Sequence, residues 1–111
     1  MSGTGGAVYD ATPPRSPCER LTFHTVLNSP VPVVVQQVAL AMQSGPVQLG
    51  LTLVDRRGLK VVIAEYLGQA AGAITSDALL HLIECMEQGN VYVANVRNVS
   101  GARVEVQVMR Q

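Results

Sequence analysis

The chain has 111 residues, of which 48% are apolar and 14% are charged, and its formal net charge is zero. This length suffices for one hydrophobic core, and the composition is far from that of a disordered chain. Zero net charge provides no long-range attraction to nucleic acid or to an anionic membrane. No apolar run reaches the ~18 residues that a membrane-spanning helix needs. We therefore expect one globular domain that does not cross a membrane.

The first 19 residues are rich in Gly, Pro, Ser and Thr and show no apolar periodicity. They predict a flexible N-terminal tail (1–19) ahead of a single domain (20–111). The start lacks a basic segment followed by an apolar run, so we expect no secretory signal. Two cysteines, Cys18 and Cys85, are too few for a disulfide scaffold. We therefore expect free thiols and a cytoplasmic location.

The first predicted elements are a strand and a helix. Residues 21–27 alternate between two faces, as strands do. Ser29 is a suitable N-cap and Pro30 a suitable first helical residue, and the helix is expected to stop at Gly45. Its apolar stripe consists of Val31, Val34, Val35, Val38, Ala41 and Met42.

A hairpin and a second helix follow. The apolar runs 47–54 and 59–67 flank Asp55-Arg56-Arg57-Gly58, which predicts two strands joined by a tight turn with Gly58 at positive φ. Ser76 is the expected cap of the second helix, whose start could lie as early as Gln69 and whose end is Gly89. Its core stripe consists of Leu79, Leu82, Ile83 and Met86.

The chain ends with a second hairpin. A three-residue loop at 99–101 would pair Val96 with Val104 and place Arg97 opposite Arg103. The whole element order predicts an α+β two-layer sandwich, with a mostly antiparallel sheet of about five strands and two helices on one face.

Five basic side chains near the two hairpin tips are the candidate contacts for an anion or an acidic partner. A phosphate or a carboxylate would relieve the repulsion between neighbouring like charges. The same charges could instead be solvated turn residues that keep strand edges from pairing. These residues are Arg56, Arg57, Lys60, Arg97 and Arg103.

Metal binding and catalysis are not favoured. His81 and Cys85 are four residues apart on the second helix and share a face, but the other metal-ligating candidates, His24 and Cys18, are isolated in the sequence. A catalytic group of Cys85, His81 and Glu84 can be assembled, although such side chains more often flank a core stripe. We expect no cofactor, no metal and no catalytic residue.

Interaction with another protein is the favoured function. The domain is small and weakly charged, and a hairpin-built sheet can leave an exposed edge that pairs with another chain. Val54, Val93 and Met109 are predicted on the sheet face turned away from the helices, where a partner would cover them. We expect a non-enzymatic scaffold that acts as a homo-oligomer or within a hetero-complex.

Two segments also carry a family resemblance. "VQLGLTLVDRRGLKV" (47–61) contains an apolar run, Val-Asp-x-x-Gly-Leu and a second apolar run, and "GNVYVANVRNVSGARVEVQVM" (89–109) is a Gly-Asn-apolar hairpin. Both are similar to segments of the roadblock/LC7 family, which residues 30–110 resemble in element order. The resemblance implies a dimeric, non-enzymatic scaffold that regulates GTPases or motors, without catalytic residues.

A second resemblance points to nucleic acid. "SPVPVVVQQVALAMQSG" (29–45) is similar to the first helix of Alba-like nucleic-acid-binding proteins, and "RNVSGARVEVQVMR" (97–110) to their last strand. Asn28 and Ser29 stand where that family usually has basic residues. The resemblance implies phosphate contacts at the five basic side chains named above. Zero net charge places this alternative second.

Overall fold

The computed structural model describes residues 17–111. In chain order the elements are α1 (Pro17–Arg20), β1 (Thr22–Val26), α2 (Pro32–Met42), β2 (Gln48–Arg56), β3 (Leu59–Tyr66), β4 (Gln69–Ala73), α3 (Leu79–Glu87), β5 (Tyr92–Ser100) and β6 (Arg103–Arg110). The strands form one antiparallel sheet in the order β1-β6-β5-β2-β3-β4. The predicted α+β class is confirmed, with one more strand and one more helix than expected.

The extra helix α1 contains the last three residues of the predicted tail, and Cys18 within it is buried. Residues 1–16, the rest of that tail, lie outside the described residues. Among residues 17–111, no helix is both long enough and apolar enough to cross a membrane.

Two tight turns of the same kind shape the centre of the chain. Arg57 and Gly58 connect β2 to β3, Leu67 and Gly68 connect β3 to β4, and all four residues have positive φ. Positive φ at both turn residues matches the right-handed twist of the flanking strands. The Gly58 N–H also donates to the Asp55 carboxylate at 2.9 Å. The second turn produces β4, so the helix that could have started near Gln69 does not begin until Leu79.

The segment that follows β1, residues 27–31, makes hydrogen bonds to β6 near one edge of the sheet and to β4 at the other edge. The Leu27 N–H donates to the carbonyl of Val104 in β6 at 2.9 Å, while Asn28 and Ala73 in β4 exchange two hydrogen bonds of 2.8 Å. The Val31 N–H then donates to the carbonyl of Ala71. Part of the β4 edge is therefore already paired within the chain, which reduces the exposed edge that the sequence predicted.

These hydrogen bonds also explain why α2 starts late. Residues 28–31 are held against β4 in a non-helical conformation, with Ser29 at a φ of 50°. Val31 is the N-cap and Pro32 the first helical residue, so the predicted start at Ser29 and Pro30 is wrong by two residues. A proline still occupies the first turn of the helix, but it is Pro32 and not Pro30.

Gly72 is required where this segment crosses β4. A Cβ atom at position 72 would lie 3.0 Å from the Cβ of Leu27 and 3.1 Å from the carbonyl oxygen of Asn28. We expect Gly72→Ala to lower the free energy of unfolding by about 1–3 kcal/mol, because the backbone of residues 27–28 must shift. The measurement is urea unfolding. The control is Gly50→Ala, a strand glycine with open space around its Cβ, which should change stability by less than about 1 kcal/mol. Equal effects of the two substitutions would contradict the close approach.

One hydrophobic cluster joins the helices to the sheet. Val34, Val35 and Val38 of α2 and Leu82 of α3 are buried in it together with the inward-facing side chains of five strands. The predicted stripes on both helices are largely confirmed, with Val31 as the exception because it is 37% exposed. The strand members include Leu49, Val62, Ala64, Tyr92, Ala94, Val96, Val104, Val106 and Val108.

The last hairpin has a different register from the predicted one. Ser100 pairs with Arg103 across a two-residue turn, Val96 pairs with Val106, and the register shifts at a bulge that contains Arg97. The predicted pair Val96 and Val104 is therefore wrong by two residues. A shift of two keeps the same side chains on the core face, so the apolar face was still predicted correctly. Arg97 does not lie directly across from Arg103.

Candidate functional site

Two of the three basic side chains of the β2–β3 hairpin lie at a cleft of about 400 Å³. Arg56 and Lys60 line it together with Asn28, and Ile63 and Ile74 contribute apolar surface. The ammonium group of Lys60 is bound to the carboxylate of Glu87 in α3, and this hydrogen bond raises the pKa of Lys60. The positive charge of Lys60 is thus already paired with a carboxylate of the same chain.

The two arginines of the β5–β6 hairpin line a second, smaller cleft of about 240 Å³, with His24 beside them. Arg103 forms an ion pair of 2.8 Å with Glu105 of the same strand. Arg57 lies at the tip of the other hairpin and lines neither cleft. The five predicted contacts are therefore divided between two clefts and a turn, and two of them already pair with carboxylates. The five side chains therefore do not form one continuous basic track.

The predicted interface on the outer sheet face is smaller than expected. Val93 pairs with Gly50 on one side and Met109 on the other, and its side chain is only 6% exposed. Val54 is half-buried, and Met109 is 37% exposed. Val93 is covered by its own chain and is not available to a partner. This leaves two separated apolar side chains rather than a patch.

A larger uncharged surface lies on α2. Val33 and Leu40 are both 65% exposed, seven residues apart on one side of the helix, and Gln36 and Gln37 between them are also exposed. The helix contains no charged residue. Next to its first turn is a cleft of about 280 Å³ that also includes the Gly101–Ala102 turn. A helix facing water normally carries charges on its outer side, so this face is unusual for a free surface.

This surface was not predicted from the sequence, because the apolar stripe of the helix accounts only for its inward side. A signal was present: no Asp, Glu, Lys or Arg occurs from Leu21 to Val54, a stretch of 34 residues. Depletion of charge at the centre of a surface patch is the compositional feature of protein interfaces.

The two cysteines are not free thiols, contrary to the sequence-based expectation. Cys18 in α1 and Cys85 in α3 form a disulfide across a sequence separation of 67. Cys85 is fully buried, so it cannot act as a nucleophile in the catalytic group considered with His81 and Glu84. The free thiols were expected from a reducing compartment, whereas a disulfide is typical of oxidising ones, and the cytoplasmic location stays a prediction.

Contacts of α1 with the sheet bring the two cysteines together. The Tyr92 hydroxyl donates to the carbonyl of Cys18 at 2.5 Å, and Arg110 lies 3.8 Å from Glu19. Tyr92 is fully buried, and burial raises the pKa of its phenol, so it stays protonated and remains a donor at neutral pH. The hydroxyl thus anchors α1 to β5.

Comparison with protein-family models, with curated proteins and with solved structures finds no match to this chain. The resemblances to the roadblock/LC7 family and to Alba-like proteins therefore stay predictions.

Proposed function

We propose that this chain is a non-enzymatic interaction module that forms a homodimer through the outward face of α2. The observation that carries the proposal is the lack of charge on that face, where Val33 and Leu40 are exposed beside Gln36 and Gln37. In the proposed arrangement the helices form one layer over the sheet, and the outer side of α2 is free to contact a second copy.

The geometry of a twofold dimer suits this surface. In such a dimer the same patch is used twice, so two α2 helices would cross and each Leu40 would contact the partner near its Val33. Burying an exposed leucine or valine contributes about 1.5–3 kcal/mol each, while glutamines can hydrogen-bond across the contact. A stable interface needs roughly 800 Å² per partner, more than a helix of 11 residues provides. The neighbouring Gly101–Ala102 turn, also uncharged, lines a cleft together with Pro32 and Gln36 and extends the surface.

A paired charge substitution tests the proposal. Val33→Glu with Leu40→Glu places like charges opposite each other across the proposed twofold contact, where they repel. We expect this variant to be monomeric by light scattering, with dimerisation weakened at least about 100-fold relative to the unsubstituted chain. Its far-UV spectrum and melting temperature in dilute solution should stay close to those of the parent.

The matched control is Leu59→Glu with Leu80→Glu. These leucines are 72% and 69% exposed, on the β2–β3 hairpin and on α3, and the charge changes are the same. The control should remain dimeric. A parent chain that is monomeric at all concentrations would refute the dimer. A parent that carries salt-removable absorbance at 260 nm would favour nucleic-acid binding through the arginines instead.

A further inference from the structure

Three metal-ligating side chains meet where α1 and α3 pack together. The Sγ atoms of Cys18 and Cys85 and an imidazole nitrogen of His81 lie within 4.8 Å of one another. Both cysteines are buried, whereas His81 is exposed. The sequence places only His81 and Cys85 together, one helical turn apart, and the docking of α1 adds the third ligand.

We propose that the reduced chain binds a zinc ion through Cys18, His81 and Cys85, so that the Cys18–Cys85 disulfide and the zinc site are two alternative states of one redox-controlled centre. This inference is independent of the proposed dimer.

The two cysteines are held in place by contacts other than their covalent bond. The carbonyl of Cys18 accepts from the Tyr92 hydroxyl at 2.5 Å, and the carbonyl of Cys85 accepts from the Asn90 side-chain amide at 2.9 Å. Cys85 also lies within the last two turns of α3, which packs in the core. The thiols of the reduced chain therefore remain facing each other rather than separating.

The distances suit tetrahedral zinc. Bonds of about 2.3 Å to sulfur and 2.1 Å to nitrogen place the ligand atoms roughly 3.5–3.8 Å apart. The three ligand atoms already lie within 4.8 Å of one another, and on reduction the two sulfur atoms, now bonded, move apart to this spacing. Two thiolates and one imidazole are ligands that zinc prefers. Because His81 is exposed, water can reach the site and supply the fourth ligand.

The interconversion balances with a thiol reductant of the dithiol class. The protein disulfide accepts two electrons and two protons and becomes two thiols, while the dithiol becomes a disulfide. Zinc then displaces the two thiol protons and binds both thiolates. In the reverse direction a disulfide of the same reagent class accepts two electrons from the thiolate pair and, with two protons, becomes a dithiol, while the protein S–S bond re-forms and the zinc ion is released.

Cobalt(II) is the probe for this site, because tetrahedral cobalt with thiolate ligands is coloured. The full chain is reduced under anaerobic conditions and titrated with Co²⁺, and Zn²⁺ is then added to displace the cobalt. We expect one Co²⁺ per chain with a thiolate-to-cobalt charge-transfer band, displaced by one equivalent of Zn²⁺. The oxidised chain should show no such band.

His81→Ala is the decisive variant, because an exposed histidine can be removed without disturbing the core. It should weaken zinc binding at least about tenfold, while His24→Ala, an exposed histidine on β1, should bind like the parent. Circular dichroism of the reduced, metal-free chain checks that it is folded. Absence of the charge-transfer band, an unfolded reduced chain, or equal zinc affinity of His81→Ala and the parent would each overturn the site and leave a purely structural disulfide.

Discussion

Replacing both cysteines, Cys18→Ala with Cys85→Ala, should lower the free energy of unfolding by about 2–5 kcal/mol. The disulfide closes a loop that contains most of the folded chain, with a sequence separation of 67, so it removes much conformational freedom from the unfolded state. A small domain is expected to lose roughly 10 °C or more in melting temperature from a change of this size. Calorimetry of the oxidised parent and the double variant, both with a chelator present, measures the difference.

The control is the parent chain itself, reduced in the presence of the chelator. It should melt close to the double variant, because in both the covalent link is absent. A reduced parent that melts with the oxidised one would mean that the link between α1 and α3 contributes little. In that case α1 would be held mainly by the hydrogen bond from Tyr92 to Cys18.

Leu82→Ala should lower the free energy of unfolding by about 2–5 kcal/mol. Leu82 is fully buried in α3 within the cluster that joins the helices to the sheet. Truncation removes apolar contacts and leaves a cavity that the surrounding strands can close only partly. Chemical denaturation under oxidising conditions is the measurement, so that the disulfide stays intact.

The matched control, Leu80→Ala, lies two residues away in the same helix but is 69% exposed. Its effect should stay within about 0.5 kcal/mol, since alanine is a good helix former and little apolar burial is lost. Similar losses for both leucines would contradict the orientation of α3. A loss at Leu80 alone would indicate that the helix is rotated.

Much of the fold was predictable from local patterns. Leu79, Leu82 and Ile83 recur at helical spacing and do pack into the core, and the turn at Arg57 and Gly58 was expected from its sequence. Side chains alternate between the two faces of a strand, so the apolar face of the last hairpin was also predicted from the sequence. The register was not predicted, because several turn lengths leave the same side chains on the apolar face.

The features that were missed depend on contacts between distant segments. The run Gln69–Ala73 has no β-branched residue. It becomes a strand because a tight turn pairs it with β3 and because Asn28 also hydrogen-bonds to it. The disulfide depends on the docking of α1 beside α3, which no local pattern encodes. Of the candidate site residues, the five basic ones were correctly placed near hairpins, but their division between two clefts follows from the path of the whole chain.

The contact between two α2 helices is the central claim, and it can be observed directly by nuclear magnetic resonance. A mixed sample of isotope-labelled and unlabelled chains, filtered for intermolecular nuclear Overhauser effects, reports which methyl groups of one copy lie near the other. At 11.8 kDa per chain, a dimer is well within reach of the method. We predict intermolecular signals from the methyl groups of Val33 and Leu40. Their absence, or signals from Val54 and Met109 instead, would contradict the proposed interface.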